Sequence, residues 1–302
     1  MDRYGSLNSP ANTGSSKVSP MLFVLAAAVL WSTGGLFIKW TSLSGLELSF
    51  GRSLLAAITV AIFTRHEGFG LNRVTAVASV LYAALLVLFV LATKQTTAAN
   101  AIFLQYTAPV YLLILEPLIY KEKFRRRDLI VVIACVIGMS LFFVGKLRPQ
   151  DFTGNLLALA SGFCFACYFL LLRHAKSRHV NRASSVIYGN VLVVLIAAPA
   201  GLSAIGHLTR WDAFAVVYLG VVQIGLAYTL FTVAMARGVR SLDAGIVGYI
   251  EPILNPVWVF LFIGERPSKW ALVGGAIIVA AVFVHTLLEA RRGRRIASLE
   301  TG

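Results

Sequence analysis

Charge is what this sequence has least of. Only 13% of its 302 residues are charged, about half the ~25% of an ordinary soluble domain. Hydrophobic residues make up 58% and mean hydropathy is +0.79, which excludes a soluble globular chain. Cysteine is nearly absent: three residues cannot build a disulfide scaffold. Cys135 falls within an apolar run, and Cys164-x-x-Cys167 has neither a second pair nor a nearby histidine to complete a metal site, so all three read as small packing residues. No H-E-x-x-H, G-x-S-x-G or G-x-x-x-x-G-K-[ST] pattern occurs, and no loop is long enough for an ATPase. ATP-driven transport by this chain alone is therefore not expected, nor is a metal or cofactor.

What fills the chain is a series of apolar runs of about 20 residues, the length that crosses a bilayer as a helix. Ten are read: 22–38, 46–64, 74–93, 97–120, 129–145, 156–172, 184–206, 213–235, 243–264 and 270–288. They are continuous, unlike the weak alternation of a membrane β-barrel. The fold class is thus all-α integral membrane. Residues 1–21 are polar and read as a disordered tail; the run after them spans a membrane and belongs to a series, unlike a signal peptide. Net charge +14 raises nucleic acid as a partner, but placement decides otherwise. With a cytoplasmic N-terminus, inner segments hold 19 basic residues and outer loops 7, with Arg52 inside a span. That asymmetry fits the positive-inside rule, with both termini cytoplasmic in a multi-pass, bacterial-type inner membrane protein. "FRRR" and "RRGRR", the latter in a basic tail over 289–302, then meet anionic headgroups. The lipid bilayer and a small-molecule substrate are the expected partners, and nucleic acid is not.

The chain also repeats. A shift of 143 lays Ala101 on Ala244, Tyr106 on Tyr249, Pro109 on Pro252, Glu122 on Glu265 and Asn100 on Asp243. A shift near 134 lays Trp31 on Phe165 and Lys39 on Arg173. Residues 22–146 and 154–288 thereby become two halves of five spans. Five is odd, so the second half enters the membrane in the opposite sense. Inverted repeats place a substrate site near the midplane, where helices are interrupted. Here the matching proline-interrupted spans are four and nine, with Pro109 and Pro252 as gating breaks. Two fused halves suffice for a pathway in one chain; a homodimer is left open.

Glu251 is the only charge from Ala244 to Gly264. An ionised carboxylate at the centre of a membrane helix costs roughly 2.5–3.5 kcal/mol, a cost that protonation relieves. Such a group suits proton uptake and release, or a hydrogen bond to substrate; the plainer alternative is a pair with a cation that fixes helix packing. Asn255 and Trp258 follow at i+4 and i+7 on the same face. Pro252 frees carbonyls near residue 248. Arg52, on span two, is the natural cationic partner for Glu251, acting at a gate or on substrate. Gln105 offers a donor and an acceptor at mid-membrane. Glu116 reads as an interfacial pair with Lys121 or Lys123, and Asn100 and Asp243 as helix N-caps. Of the aromatics Trp31, Tyr82, Tyr106, Tyr168, Tyr228 and Tyr249, the pair Tyr106 and Tyr249, one per half, best suits a cavity lining; Trp31 and Tyr228 are further candidates. "STGG" (32–35), Gly138 and "GGA" (274–276) let helices approach closely.

"LELSFGRSLLAA", "TTAANAIFLQYTAPVYLLILEPLIYKEKF" and "SLDAGIVGYIEPILNPVWVFLFIGERPS" resemble the two EamA domains of the drug/metabolite transporter superfamily, over about 22 to 288. "YKEKF" departs from the pattern, in which a glycine commonly precedes the glutamate; it reads as loop variation. The resemblance implies ten transmembrane helices in two inverted five-helix repeats, and export of amino acids, other metabolites or drugs. The expected function is a secondary transporter working by alternating access: an exporter of small organic metabolites, amino-acid-like or aromatic, driven by the proton gradient. A proton-independent uniporter is the alternative. An intramembrane enzyme would need a second deep catalytic group that the sequence does not offer.

Overall fold

The computed structural model of the chain describes residues 20–120, 126–144, 149–173, 183–237 and 247–300. Residues 1–19, Lys121, Glu122, Lys123 and Asp243 lie outside them, and with them the tail, the Glu116 ion pair and the second expected N-cap. The first span is two helices, α1 (Pro20–Ser32) and α2 (Gly34–Trp40), and α3 (Gly45–Thr64) and α4 (Arg73–Gln95) follow. Span four is also two, α5 (Ala98–Gln105) and α6 (Ala108–Tyr120). Then come α7 (Arg126–Leu141), α8 (Pro149–Arg173), α9 (Ala183–Ala204) and α10 (Arg210–Val217). A π-helical segment, Tyr218–Leu226, joins α10 to α11 (Ala227–Ala236), and α12 (Ile250–Ile263) and α13 (Lys269–Glu300) close the chain. No strand occurs among the described residues.

Seven helical stretches have the length and apolar character to cross a membrane, and three further apolar helices, Leu129–Leu141, Ile250–Ile263 and Lys269–His285, are shorter. Each of the ten apolar runs thus carries helix. The ninth is shortened because Tyr249 interrupts it. The last outruns its apolar part to Glu300, since Ala, Arg, Leu and Glu propagate a helix without needing a core. The fold is an all-α membrane fold, and its surface shows why. Leu118 is 72% exposed and Ile130 67%, whereas Arg52, Gln105, Asn155, Asn190 and Asn255 are buried. That distribution suits a hydrocarbon solvent and an interior that satisfies polar groups.

Helix starts follow local chemistry. Ser44 with Glu47, and Thr209 with Asp212, form capping boxes at α3 and α10. Asn100 is not the cap of α5, as its position near the helix start suggests. Thr97 caps it, accepting from the Asn100 N–H, and the Asn100 side chain instead donates to Thr96 Oγ1 and Asn155 Oδ1. Gly264 ends α12 at φ 78°, a left-handed C-terminal position that glycine adopts without a Cβ clash.

The helix pairings have a symmetry. α3 packs on α9, and α7 on α13; α4 packs on α8 and α9, while α11 packs on α1 and the π segment on α3; α5 and α6 pack on α8, while α12 packs on α1 and α2. Exchanging the first five spans for the last five maps these pairings onto themselves. Small residues set the distances. A Cβ on Gly274 would stand 2.5 Å from the Gly138 carbonyl oxygen, and one on Gly138 would stand 2.9 Å from that of Gly274, so α7 and α13 cross backbone to backbone. Gly274→Val is expected to cost about 1–3 kcal/mol by overpacking, read as a lower melting temperature of the detergent-purified protein; an unchanged value would show that the two helices separate freely.

Candidate transport site

The two interrupted helices meet. α5 stops at Gln105 and α6 resumes at Ala108, with Tyr106 (φ −71°, ψ 8°) at the break. α12 starts after Tyr249 (φ −66°, ψ −8°), the residue that the 143-residue shift places on Tyr106. Pro109 and Pro252 each fall in the first turn after the break, where a helix does not need their missing N–H. The two tyrosine rings approach to 6.0 Å between centroids. The single proton of the Tyr106 hydroxyl is shared between Glu251 Oε2 at 2.8 Å and the Gly248 carbonyl at 3.1 Å. That carbonyl is one the Pro252 interruption was expected to free.

Glu251 therefore has a neutral phenol for a partner, not Arg52. Helix packing explains the difference. α12 packs on α1, α2 and α5, and so faces Tyr106, whereas α3, which carries Arg52, packs on α9, α4 and the π segment. Arg52 is 3% exposed, and among the described residues it makes no ion pair or hydrogen bond; its Nε is buried without a partner.

Asn255 and Trp258 line the broken first span. Trp258 Nε1 donates to Ser32 Oγ at 2.9 Å. Asn255 lies directly over Gly35, where any Cβ would collide with its amide, and both amide atoms are buried without a hydrogen-bond partner. Gln223, on the π segment, packs over Gly34 and donates to the Trp31 carbonyl at 3.3 Å; the Trp31 ring rests on Phe231. Thus "STGG" does more than permit close approach: α1 gives way to α2 at Thr33, and its glycines admit two amides from the second half. Gln105 is buried and donates to Ser161 Oγ at 2.8 Å, and that hydroxyl donates to the Leu85 carbonyl. Tyr228 is placed apart, packed against Val60, Ala183 and Val186. Gln223 and Ser161 were missed from sequence. A lone glutamine in "YLGVVQIGL" was the available signal for the first; a serine in an apolar span carries none for the second.

At one end of the bundle, polar side chains tie the halves together. Lys39 Nζ pairs with Glu265 Oε2 at 2.9 Å and donates to the Thr96 carbonyl. Glu265 Oε1 accepts the Ala98 N–H at the start of α5, where the helix dipole favours a carboxylate. Beside it Asp212 accepts from Thr41 Oγ1 (2.5 Å), from Ser42 N (2.7 Å) and Oγ (2.8 Å), and from Thr209 Oγ1 (2.6 Å), while Lys94 donates to the Thr41 carbonyl. Glu265, legible in sequence only as a helix-ending residue, is thus a latch between halves. Among the described residues no cluster of three or more His, Cys, Asp or Glu could hold a metal ion.

The EamA-like transporter family matches the chain twice, over residues 18–144 and 152–287. The chain belongs to the EamA-like transporter family. Its EamA relatives include an uncharacterized transporter of Archaeoglobus fulgidus, 25% identical over 261 residues that cover 86% of this chain and 94% of that one. The uncharacterized transporter YwfM of Bacillus subtilis is 27% identical, with 87% and 92% covered. The threonine/homoserine exporter RhtA of Escherichia coli is 27% identical over 217 residues, 70% of each chain. A crystal structure with TM-score 0.58 and 21% identity covers 89% of this chain and 97% of its own, a likeness of fold alone. The protein is accordingly a multi-pass membrane transporter of this family.

Proposed function

We propose that this EamA protein is a secondary transporter that exports small organic metabolites, amino-acid-like or aromatic, across the cytoplasmic membrane by alternating access, with Glu251 carrying the coupling proton. One observation carries the reading: a lone carboxylate, held by a neutral phenol from the other half, stands where two interrupted helices meet. A site built from both halves changes when the halves move, and a carboxylate without a cation can bind and lose a proton as it does so. The name of RhtA supports an amino-acid-like substrate. The symmetry of the helix pairings supports two halves of opposite insertion. The excess of basic residues on one side supports cytoplasmic termini, which makes the Lys39–Glu265 and Asp212 latches the outer end, closed in this structure.

The test is flux in proteoliposomes. L-Threonine, L-homoserine and an aromatic amino acid are supplied as labelled substrates under an imposed pH gradient. Accumulation that collapses with the gradient is the expected result; equal flux without a gradient would make the protein a uniporter. The latch gives a second prediction. Glu265→Gln removes an ion pair and weakens a charge-assisted hydrogen bond, together worth about 1.5–3 kcal/mol. It is expected to shift the resting population toward an outer-open form, read as a longer distance between spin labels at the exposed positions Leu46 and Lys269. An unchanged distance distribution would show that the latch does not hold that end closed.

A further inference from the structure

Arg52 is the one cation brought into the interior of the described structure without an anion to meet it. It stands eighth of the 20 residues of α3, too deep to reach the surface readily. A guanidinium does not lose its proton in a protein, and leaving such a charge buried and unpaired is costly. The carboxylates that could relieve it are committed elsewhere: Glu251 to Tyr106, Glu265 to Lys39 and the start of α5, Asp212 to Thr41, Ser42 and Thr209, and Glu47 to its capping box. The ionisable group that acts on Arg52 is Tyr82 on α4, a neutral phenol. On α9, the helix packed against both α3 and α4, Asn190 is buried with its side-chain oxygen unpartnered. Tyr82 also meets the Asn190 side chain, so three helices bring an unpartnered guanidinium Nε and an unpartnered amide oxygen around one phenol, with no protein anion among the described residues to meet the charge.

We propose that Arg52 is the anchor for the carboxylate of the transported substrate, with Asn190 the neighbouring acceptor for a substrate ammonium or hydroxyl. The guanidinium presents parallel N–H donors that match a carboxylate two to two, and a desolvated site makes that match stronger than it is in water. The ligand class is a small organic monocarboxylate, of which an α-amino acid is the case with both groups. The assignment rests on the transporter reading but separates substrate recognition, at Arg52, from proton carriage, at Glu251. It also accounts for a cation that the helix packing does not use.

The experiment uses the full chain in nanodiscs, with binding read by ligand-induced thermal shift and by calorimetry. Three probes isolate the chemistry: L-threonine, L-threoninamide, which lacks the carboxylate, and 2-hydroxybutyrate, which lacks the ammonium. L-Threonine and 2-hydroxybutyrate are expected to bind and L-threoninamide to fail. Arg52→Gln is expected to weaken binding of the carboxylates about tenfold or more, with Arg52→Lys intermediate. Equal binding of L-threonine and L-threoninamide by the wild type would overturn the proposal, and this comparison needs no variant to fold. Unchanged L-threonine affinity in Arg52→Gln would also overturn it, as would failure of both carboxylates to bind. If 2-hydroxybutyrate binds in an Arg52-dependent way and L-threonine does not, the anchor stands and the amino-acid reading falls.

Discussion

Glu251→Gln is expected to reduce proton-driven transport to the background of empty liposomes while the protein still folds and inserts. Glutamine has the same shape, and its side-chain oxygen can still accept from the Tyr106 hydroxyl that holds Glu251 at 2.8 Å. What it cannot do is bind and release a proton. The pH dependence of any residual flux should therefore flatten. Tyr106→Phe is the informative control, since it leaves the carboxylate and removes its donor: transport should slow but stay responsive to the gradient. Wild-type flux with unchanged pH dependence in Glu251→Gln would sink the coupling role.

The largest loss of stability is expected from Asp212→Ala. Asp212 is 1% exposed and accepts from both Thr41 and Ser42 across the halves and from Thr209 at its own helix start. Alanine leaves the buried Thr41 hydroxyl without its acceptor and strips Ser42 and Thr209, which are exposed, of the carboxylate that ties them together. A lost donor–acceptor match costs about 1–3 kcal/mol, and removal of one member of a buried charged network about 3–5 kcal/mol. The melting temperature in detergent should fall by more than for Gly274→Val. Asp212→Asn keeps an acceptor oxygen and should fall between. A wild-type melting temperature in Asp212→Ala would mean that water replaces the carboxylate without loss, and that the loop does not depend on it.

Much of this architecture was legible because hydrocarbon leaves a chain few options. Apolar runs of spanning length are helices, and the matching prolines Pro109 and Pro252 marked both interrupted spans, although the breaks themselves fall at Tyr106 and Tyr249, about a turn earlier. The first-span break at Thr33 was not legible, since no proline announces it and small residues serve equally well in an unbroken helix. Pairing Arg52 with Glu251 followed charge alone. It failed because α3 and α12 pack against different neighbours, and one phenol on α5 reaches the carboxylate instead. Asn100 looked like a cap because it sits near a helix start. Thr97, three residues earlier, has the extended backbone that a cap requires.

The π segment has a consequence for how this chain can change. Gly220 lies against the Arg52 carbonyl and Leu55, and Gly225 against Thr59, all on α3. The two glycines are five residues apart, and only winding with i→i+5 hydrogen bonds stacks them on one face. In an α-helix, at 3.6 residues per turn, they would diverge by about 140°. Deleting one residue between them would restore a four-residue interval and an ordinary helix, with the contact to α3 preserved. It would also change the bearing of Gln223, which lies between the two glycines, relative to the glycine face, and so move its amide away from the Trp31 carbonyl. The extra residue is thus a mechanical offset: it lets one helix present glycines to α3 and an amide to the broken first span, two bearings that a regular helix of this sequence could not serve together.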